Sequence, residues 1–235
     1  MKRIFFTAAA LLCGLAAGAQ DIPLPKPDMK QSSKTMVETL RMRHSVRQFE
    51  ETPLSMEEIS TLCWAACGLS RDDNHITSPT AMNRQEIRLF VFFSEGVYEY
   101  LPRKNALVFV AKEDARHLFV SNAPAPAKGK KGKKNKQAEP DPKAAAFGQP
   151  FVLDAPVTLL MVIDLDKFGS NDERARTMGY IDAGIVSENI NLYCESVKLG
   201  TVPRVTMDVP ALKKLLKLND NQIPAINNPV GRPLE

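Results

Sequence analysis

Apolar positions recur at two different spacings along this chain, and the changes between them mark out helices and strands. Met36 and Leu40 stand one turn apart on one face, which predicts a short helix over 33–42. A second helix opens at Ser55, where Glu58 completes a capping box and Leu54 can staple onto Ile59. Its apolar stripe, Ile59, Leu62, Cys63, Ala66 and Leu69, runs to a stop near Gly68. Residues 71–80 are polar and close with Ser78-Pro79-Thr80, a loop that delivers Ala81-Met82-Asn83-Arg84-Gln85 to a predicted helix start. Residues 87–93 and 106–111 are β-rich apolar runs, predicted to be neighbouring antiparallel strands joined through Tyr98-Glu99-Tyr100. A brief helix is predicted over 113–119. Residues 156–163 form an unbroken apolar, β-branched run, the signature of a central strand buried on both faces. The longest helix is predicted over 172–199, with Met178, Ile181, Ile185, Ile190, Tyr193 and Val197 spaced for burial and Gly200 as its stop. A short strand over 201–205, a helix capped by Asp208 that carries Leu212, Leu215 and Leu216, and a last strand over 222–230 complete the pattern. Helices and strands mix without βαβ alternation, so the expected class is α+β with an antiparallel or mixed sheet.

Two segments break this patterning. Lys2 and Arg3 precede an apolar run from Ile4 to Ala17 that closes on Ala17-Gly18-Ala19, the layout of a secretory signal peptide over 1–19. Leu12 stands before Cys13 where lipid attachment wants a small residue, which argues against a lipid anchor. No other run approaches the length needed to span a bilayer, so an exported protein without stable membrane insertion is expected. Residues 121–146 contain no apolar side chain larger than Ala or Pro, so burial cannot offset ordering, and a disordered insertion is expected there. Between the two lie a linker over 20–32 and one domain over 33–235.

Charge follows the same division. The chain has a formal charge of +4, of which the leader carries +2 and the insertion, with seven Lys against Glu139 and Asp141, carries +5. The remaining body is therefore acidic by about three charges, and the basic balance does not describe a nucleic-acid-binding face. Cys63, Cys67 and Cys194 remain after the leader, an odd number that points to buried free thiols.

Among polar positions, Arg43-His44-Ser45-Val46-Arg47 places two guanidiniums four residues apart around a hydroxyl, a set able to hold a phosphate. Solvated surface arginines have the same spacing. Neither GxGxxG nor GxxxxGK[ST] occurs. Cys63 and Cys67 could bind metal with His75 or Cys194, but a second close-spaced ligand pair is missing, and core packing explains them. Asp164, Asp166 and His117 read as surface groups, and Trp64 and Tyr193 as core. The lysines from 128 to 136 read as a solvated linker that could also meet an anionic surface.

Taken together, four elements in order resemble the FMN-dependent nitroreductase family. They are Arg43-x-Ser45-x-Arg47 with Phe49, the stretch Pro79-Thr80-Ala81-Met82-Asn83-Arg84-Gln85, Asp182-Ala183-Gly184 with Glu188-Asn189-Ile190, and Val230-Gly231-Arg232-Pro233. The resemblance implies a three-layer sandwich with a mixed, largely antiparallel sheet, and an intertwined homodimer with FMN at the subunit interface. It implies that Arg43 and Arg47 meet the phosphate and the pyrimidine edge, Ser45 the ribityl side, and His44 the region near the ring. Pro79, Thr80, Ala81, Asn83 and Gln85 would reach the flavin of the partner subunit. Pro203-Arg204-Val205-Thr206 would supply backbone amides facing N5 and O4.

Two departures from the family pattern stand out. Basic residues beyond Val-Gly-x-Pro are absent before Glu235, which leaves Gly231 and Arg232 as the nearby cofactor contacts and Arg232 as the substitute cation. Val205 and Thr206 stand where relatives often have Glu and Gly. The resemblance implies ping-pong transfer to a small organic acceptor such as a nitro compound or quinone, with no acid–base dyad required of the protein. NAD(P)H as donor is at odds with export, because reduced nicotinamide is cytosolic. The alternative from another class is a non-catalytic shell that has lost flavin and meets an anionic partner through its lysines.

Overall fold

Around β5 (Val157–Asp164), the most deeply buried strand, the rest of the chain is assembled. The computed structural model describes residues 20–30, 32, 34–120 and 149–234, so the leader and the lysine-rich insertion lie outside the described residues. β5 alternates between two cores: Leu159, Met161 and Ile163 enter one, Leu160 and Val162 the other. Burying each such side chain is worth about 1.5–3 kcal/mol, which is why a strand apolar on both faces is driven to the middle of three layers. Among the described residues no helix is long and apolar enough to cross a membrane.

Seven strands form the middle layer. They are β1 (Ile22–Pro23), β2 (Ile87–Phe92), β3 (Val97–Leu101), β4 (Ala106–Ala111), β5, β6 (Gly200–Thr201) and β7 (Gln222–Gly231), in the order β1-β4-β3-β2-β5-β7-β6. Every pairing among the described strands is antiparallel, the first of the two arrangements expected for this α+β chain. Residues 87–92 and 106–111, however, are not neighbours. Tyr98-Glu99-Tyr100, expected only to join them, is itself the strand between them. The expected linker contributes edge strand β1, and Leu24 after it is buried. Pro224 sits where the β5–β7 register shifts, a bulge that tolerates its missing N–H.

On one face lie α1 (Met36–Met42), α2 (Met56–Cys67) and α3 (Glu173–Ser196); α4 (Val209–Leu215) covers the other. The Ser55/Glu58 capping box forms as expected, and Thr35 with Glu38 forms a second one that starts α1. α3 buries Ala175, Gly179, Ala183, Val186, Ile190 and Cys194, not the bulkier Met178–Ile181–Ile185 stripe. The reason is close approach: a Cβ on Gly179 would stand 2.4 Å from Ile163 Cγ2, so only glycine fits where the helix crosses that strand. Ile181, with Tyr180, is left exposed, as are Met36, Val37 and Leu40 on α1.

Four smaller expectations are corrected. The helix start after Thr80 is a single 3-10 turn, Ala81–Asn83, because Met82, Asn83 and Gln85 are left-handed. The helix over 113–119 shrinks to a 3-10 turn, Arg116–Phe119. α3 ends at Ser196, with Lys198 in the left-handed conformation expected of Gly200. Gly200 instead opens β6, where a Cβ would stand 2.7 Å from Val46. The 201–205 strand is thus only β6 and a single bridge between Arg204 and Asn227.

Candidate cofactor site

Three of the predicted segments meet at one corner of the sheet. The segment after α1 runs along β6, with the Val46 amide donating to the Thr201 carbonyl at 3.0 Å. It continues past the end of β7, where Phe49 bridges Pro233 and the Glu50 amide donates to the Arg232 carbonyl at 2.9 Å. Burial of Val46 and Phe49 turns the alternate residues outward, so Ser45 and Arg47 are exposed, while Arg43 is half-buried. Neither guanidinium nor the Ser45 hydroxyl has a hydrogen-bond partner among the described residues. His44 is exposed, its Nδ1 3.0 Å from the Met42 carbonyl oxygen and 3.8 Å from Glu195 Oε2. Glu195 is itself paired with Lys34 at 2.5 Å.

Arg204 behaves differently from its expected part as a loop residue presenting its amide. Its side chain is 6 % exposed and makes three hydrogen bonds, to Gln149 Oε1, to Asn227 Oδ1 at 2.8 Å and to the Phe119 carbonyl at 2.7 Å. It also lies over the Phe151 ring at 5.5 Å, and its amide is taken by the Asn227 carbonyl at 2.8 Å. Burial, and then the Arg47 guanidinium, push it down to about 10, so it stays charged at neutral pH. Arg47 therefore faces a second positive charge with no carboxylate between them to compensate, a field that favours an anion. The amides of Val205 and Thr206 have no protein acceptor among the described residues. Pro203 and Val205 are exposed.

Two other expected contacts are occupied. Arg232 is held by Glu58 at 2.8 Å and the Pro53 carbonyl at 3.3 Å, so it is not a free substitute cation. Gly231 is a packing glycine, where a Cβ would meet Pro156 Cδ at 2.7 Å.

The Pro79–Gln85 segment does not join this corner within one chain. It is tied to the first half of α3, where Asp182 Oδ2 accepts the Ala81 amide at 2.7 Å. Glu195, beside His44, lies about 20 Å further along the same helix at its rise per residue. Pro79, Thr80 and Asn83, with Thr77 and Ser78, line a separate cleft of about 590 Å³. Gln85 braces the turn, donating its amide to Thr80 Oγ1 at 2.9 Å and its side chain to the Asn74 carbonyl at 2.8 Å.

Known proteins resemble this chain over all of these segments. The profile of the Nitroreductase family matches residues 40–232, which span all of these segments. The chain belongs to the nitroreductase family. A Methanocaldococcus jannaschii protein whose name places it among nitroreductases is 24 % identical over 219 residues, covering 89 % of this chain and 96 % of its own. A nitroreductase structure from Ralstonia eutropha JMP134 superposes with a TM-score of 0.73 at 26 % identity, covering 92 % of this chain and 90 % of that one. A Staphylococcus epidermidis structure described as an NAD(P)H:FMN oxidoreductase shares the fold, with a TM-score of 0.57 at 14 % identity and 90 % and 92 % coverage.

In this nitroreductase, several residues around the corner escape a reading of the sequence. Asn227 and Asn228 point to opposite faces of β7 and brace residues 201–206 from both sides. Asn227 binds Arg204 and donates to the Thr206 carbonyl at 3.1 Å, while Asn228 reaches Ser187, Asn191 and Thr201. The available signal was two consecutive amides inside a buried strand, since such groups persist only when hydrogen-bonded. The three thiols, in contrast, are core: all are buried and free, and burial pushes Cys67 up to about 12.

Proposed function

We propose that this nitroreductase is an FMN-dependent oxidoreductase that works as a homodimer and passes electrons to a small organic acceptor. The observation that carries the reading is the pair of guanidiniums at 43 and 47, free of acceptors among the described residues, with Arg47 adding its charge to that of buried Arg204. This donor set fits a phosphate monoester: Arg43 and Arg47 would hold the phosphate and Ser45 a neighbouring oxygen. Val205 and Thr206 offer unpaired amides to an electron-rich ring edge, where donors stabilise added negative charge. When bound, FMN supplies the hydride and electron transfer.

Pro79–Asn83 and Arg43–Arg47 sit far apart on one protomer, which supports a second copy of the chain that brings the two segments to one flavin. The exposed apolar side chains of α1 and α3, with Val37 75 % and Ile181 58 % exposed, support burial against that copy. The leader implies export, and with it a donor other than cytosolic NAD(P)H, such as a redox partner in the same compartment. Rapid bleaching by NADPH at the turnover rate would overturn that part.

Purified protein, dialysed and scanned, should absorb near about 450 nm or regain that band with FMN, with a rise in melting temperature. Arg43→Ala and Arg47→Ala should each weaken FMN about tenfold or more, since a charge-assisted bond is worth about 1.5–3 kcal/mol. Folded protein that neither binds FMN nor is stabilised by it would leave the non-catalytic reading, which the engagement of Arg232 by Glu58 favours.

A further inference from the structure

Glu86 sits one residue before β2 and is completely buried, 0 % exposed. Neither of its carboxyl oxygens receives a well-formed hydrogen bond from a donor among the described residues, and the one donor that acts on it is its own backbone amide. Facing it within hydrogen-bonding range is the carboxyl of Asp182, 5 % exposed, on α3. Asp182 uses its Oδ2 to accept the Ala81 amide at 2.7 Å. Two carboxylates cannot satisfy each other, because both only accept. One proton resolves the contact: a neutral Glu86 can donate to Asp182, which keeps its Oδ2 for the Ala81 amide.

What Asp182 holds is a strained piece of backbone. Met82 at φ 53°, Asn83 at 52° and Gln85 at 49° are all left-handed, a region that side chains with a Cβ occupy at a cost. Such a turn persists only where its surroundings over-determine it. Here the fixed points are the Ala81–Asp182 bond and the bonds from the Asn83 and Gln85 amides to Thr80.

We propose that Glu86 is a positioning residue that, as a neutral acid, shares its proton with Asp182 and so locks the Ala81–Asn83 turn in the shape it presents to the cofactor. This rests on the FMN reading above for what the turn presents, and on this chain alone for the lock. Of the charged groups on the elements packed there, Asp182 is the one that acts on Glu86. Arg84 is exposed, Arg88 is engaged by Glu99 at 2.7 Å, and Asp164 meets Glu86 through its backbone amide. Burial, and then Asp182, push Glu86 up to about 8, consistent with a neutral acid at physiological pH. Because this value is raised on folding, the stabilisation is whole below the ordinary glutamate range and is lost as pH rises through about 8.

The test follows the Ala81 amide by nuclear magnetic resonance against pH in flavin-free protein, alongside the FMN dissociation constant over the same range. Wild type should show an amide transition near pH 8 and an FMN affinity that falls about tenfold across it. Glu86→Gln keeps a neutral donor toward Asp182 and should abolish both transitions while retaining affinity. Asp182→Asn gives Glu86 a donor and removes the neighbouring charge, so its transition should move to lower pH. A transition that persists in Glu86→Gln, or an Ala81 amide indifferent to pH in wild type, would overturn the role of Glu86 even if FMN binds. An amide that titrates as expected in protein that never binds FMN would overturn the cofactor reading and leave the lock standing.

Discussion

Arg204 and Glu86 are both removed from water, yet they end in opposite charge states. Burial pushes each toward neutrality, Arg204 down to about 10 and Glu86 up to about 8. Like-charged neighbours, Arg47 and Asp182, push in the same direction. What separates them is the supply of partners: the guanidinium has three oxygen acceptors and an aromatic face, whereas the carboxyl receives no well-formed hydrogen bond among the described residues. A buried group keeps its charge only where the fold provides complementary dipoles. The protein thus keeps positive charge beside the Arg43–Arg47 corner and suppresses negative charge beneath the turn.

The comparison breaks most visibly at Arg204. Arg204→Met should cost about 3 kcal/mol or more in urea unfolding with an unchanged m-value, because buried oxygens of Phe119 and Asn227 lose their donor. A loss under about 1 kcal/mol would mean that the three bonds are not holding the corner together. Glu86→Gln, an equally buried substitution, should lie within about 1 kcal/mol of wild type at about pH 4, where the side chain is neutral in both the folded and the unfolded chain. Its advantage over wild type should then grow as pH rises from there to about 8 and level off above it, visible as diverging melting temperatures. The smallest effect sharpens the comparison: Arg47→Gln relieves the repulsion on Arg204 and should raise the stability of flavin-free protein by a few tenths of a kcal/mol. The same variant loses FMN affinity, so stability and binding move oppositely.

Local chemistry was legible in the sequence, and contacts between distant segments were not. The Ser55/Glu58 box, the Asp208 cap and the doubly buried β5 each depend on residues within a few positions. The Arg43-Ser45-Arg47 cluster is equally local. The α3 stripe was misread because bulk was taken as the mark of burial, while contact with Ile163 admits only glycine at 179. Arg204 was read as a loop residue because its acceptors come from Phe119, Gln149 and Asn227, far away in the chain. Glu86 carried no local sign of neutrality, since the decisive neighbour, Asp182, lies on another element.

Gathering Phe119 and Gln149 onto one guanidinium has a practical consequence for the stretch that separates them. Whatever lies between begins and finishes at nearly the same spot, so the body of the molecule is indifferent to its length. For a loop tethered in this way, each doubling of length adds only about 0.6 kcal/mol of closure entropy. The position is therefore a socket, into which a reporter domain, an affinity tag or a longer or shorter lysine tract can be spliced while the corner around Arg204 keeps its shape.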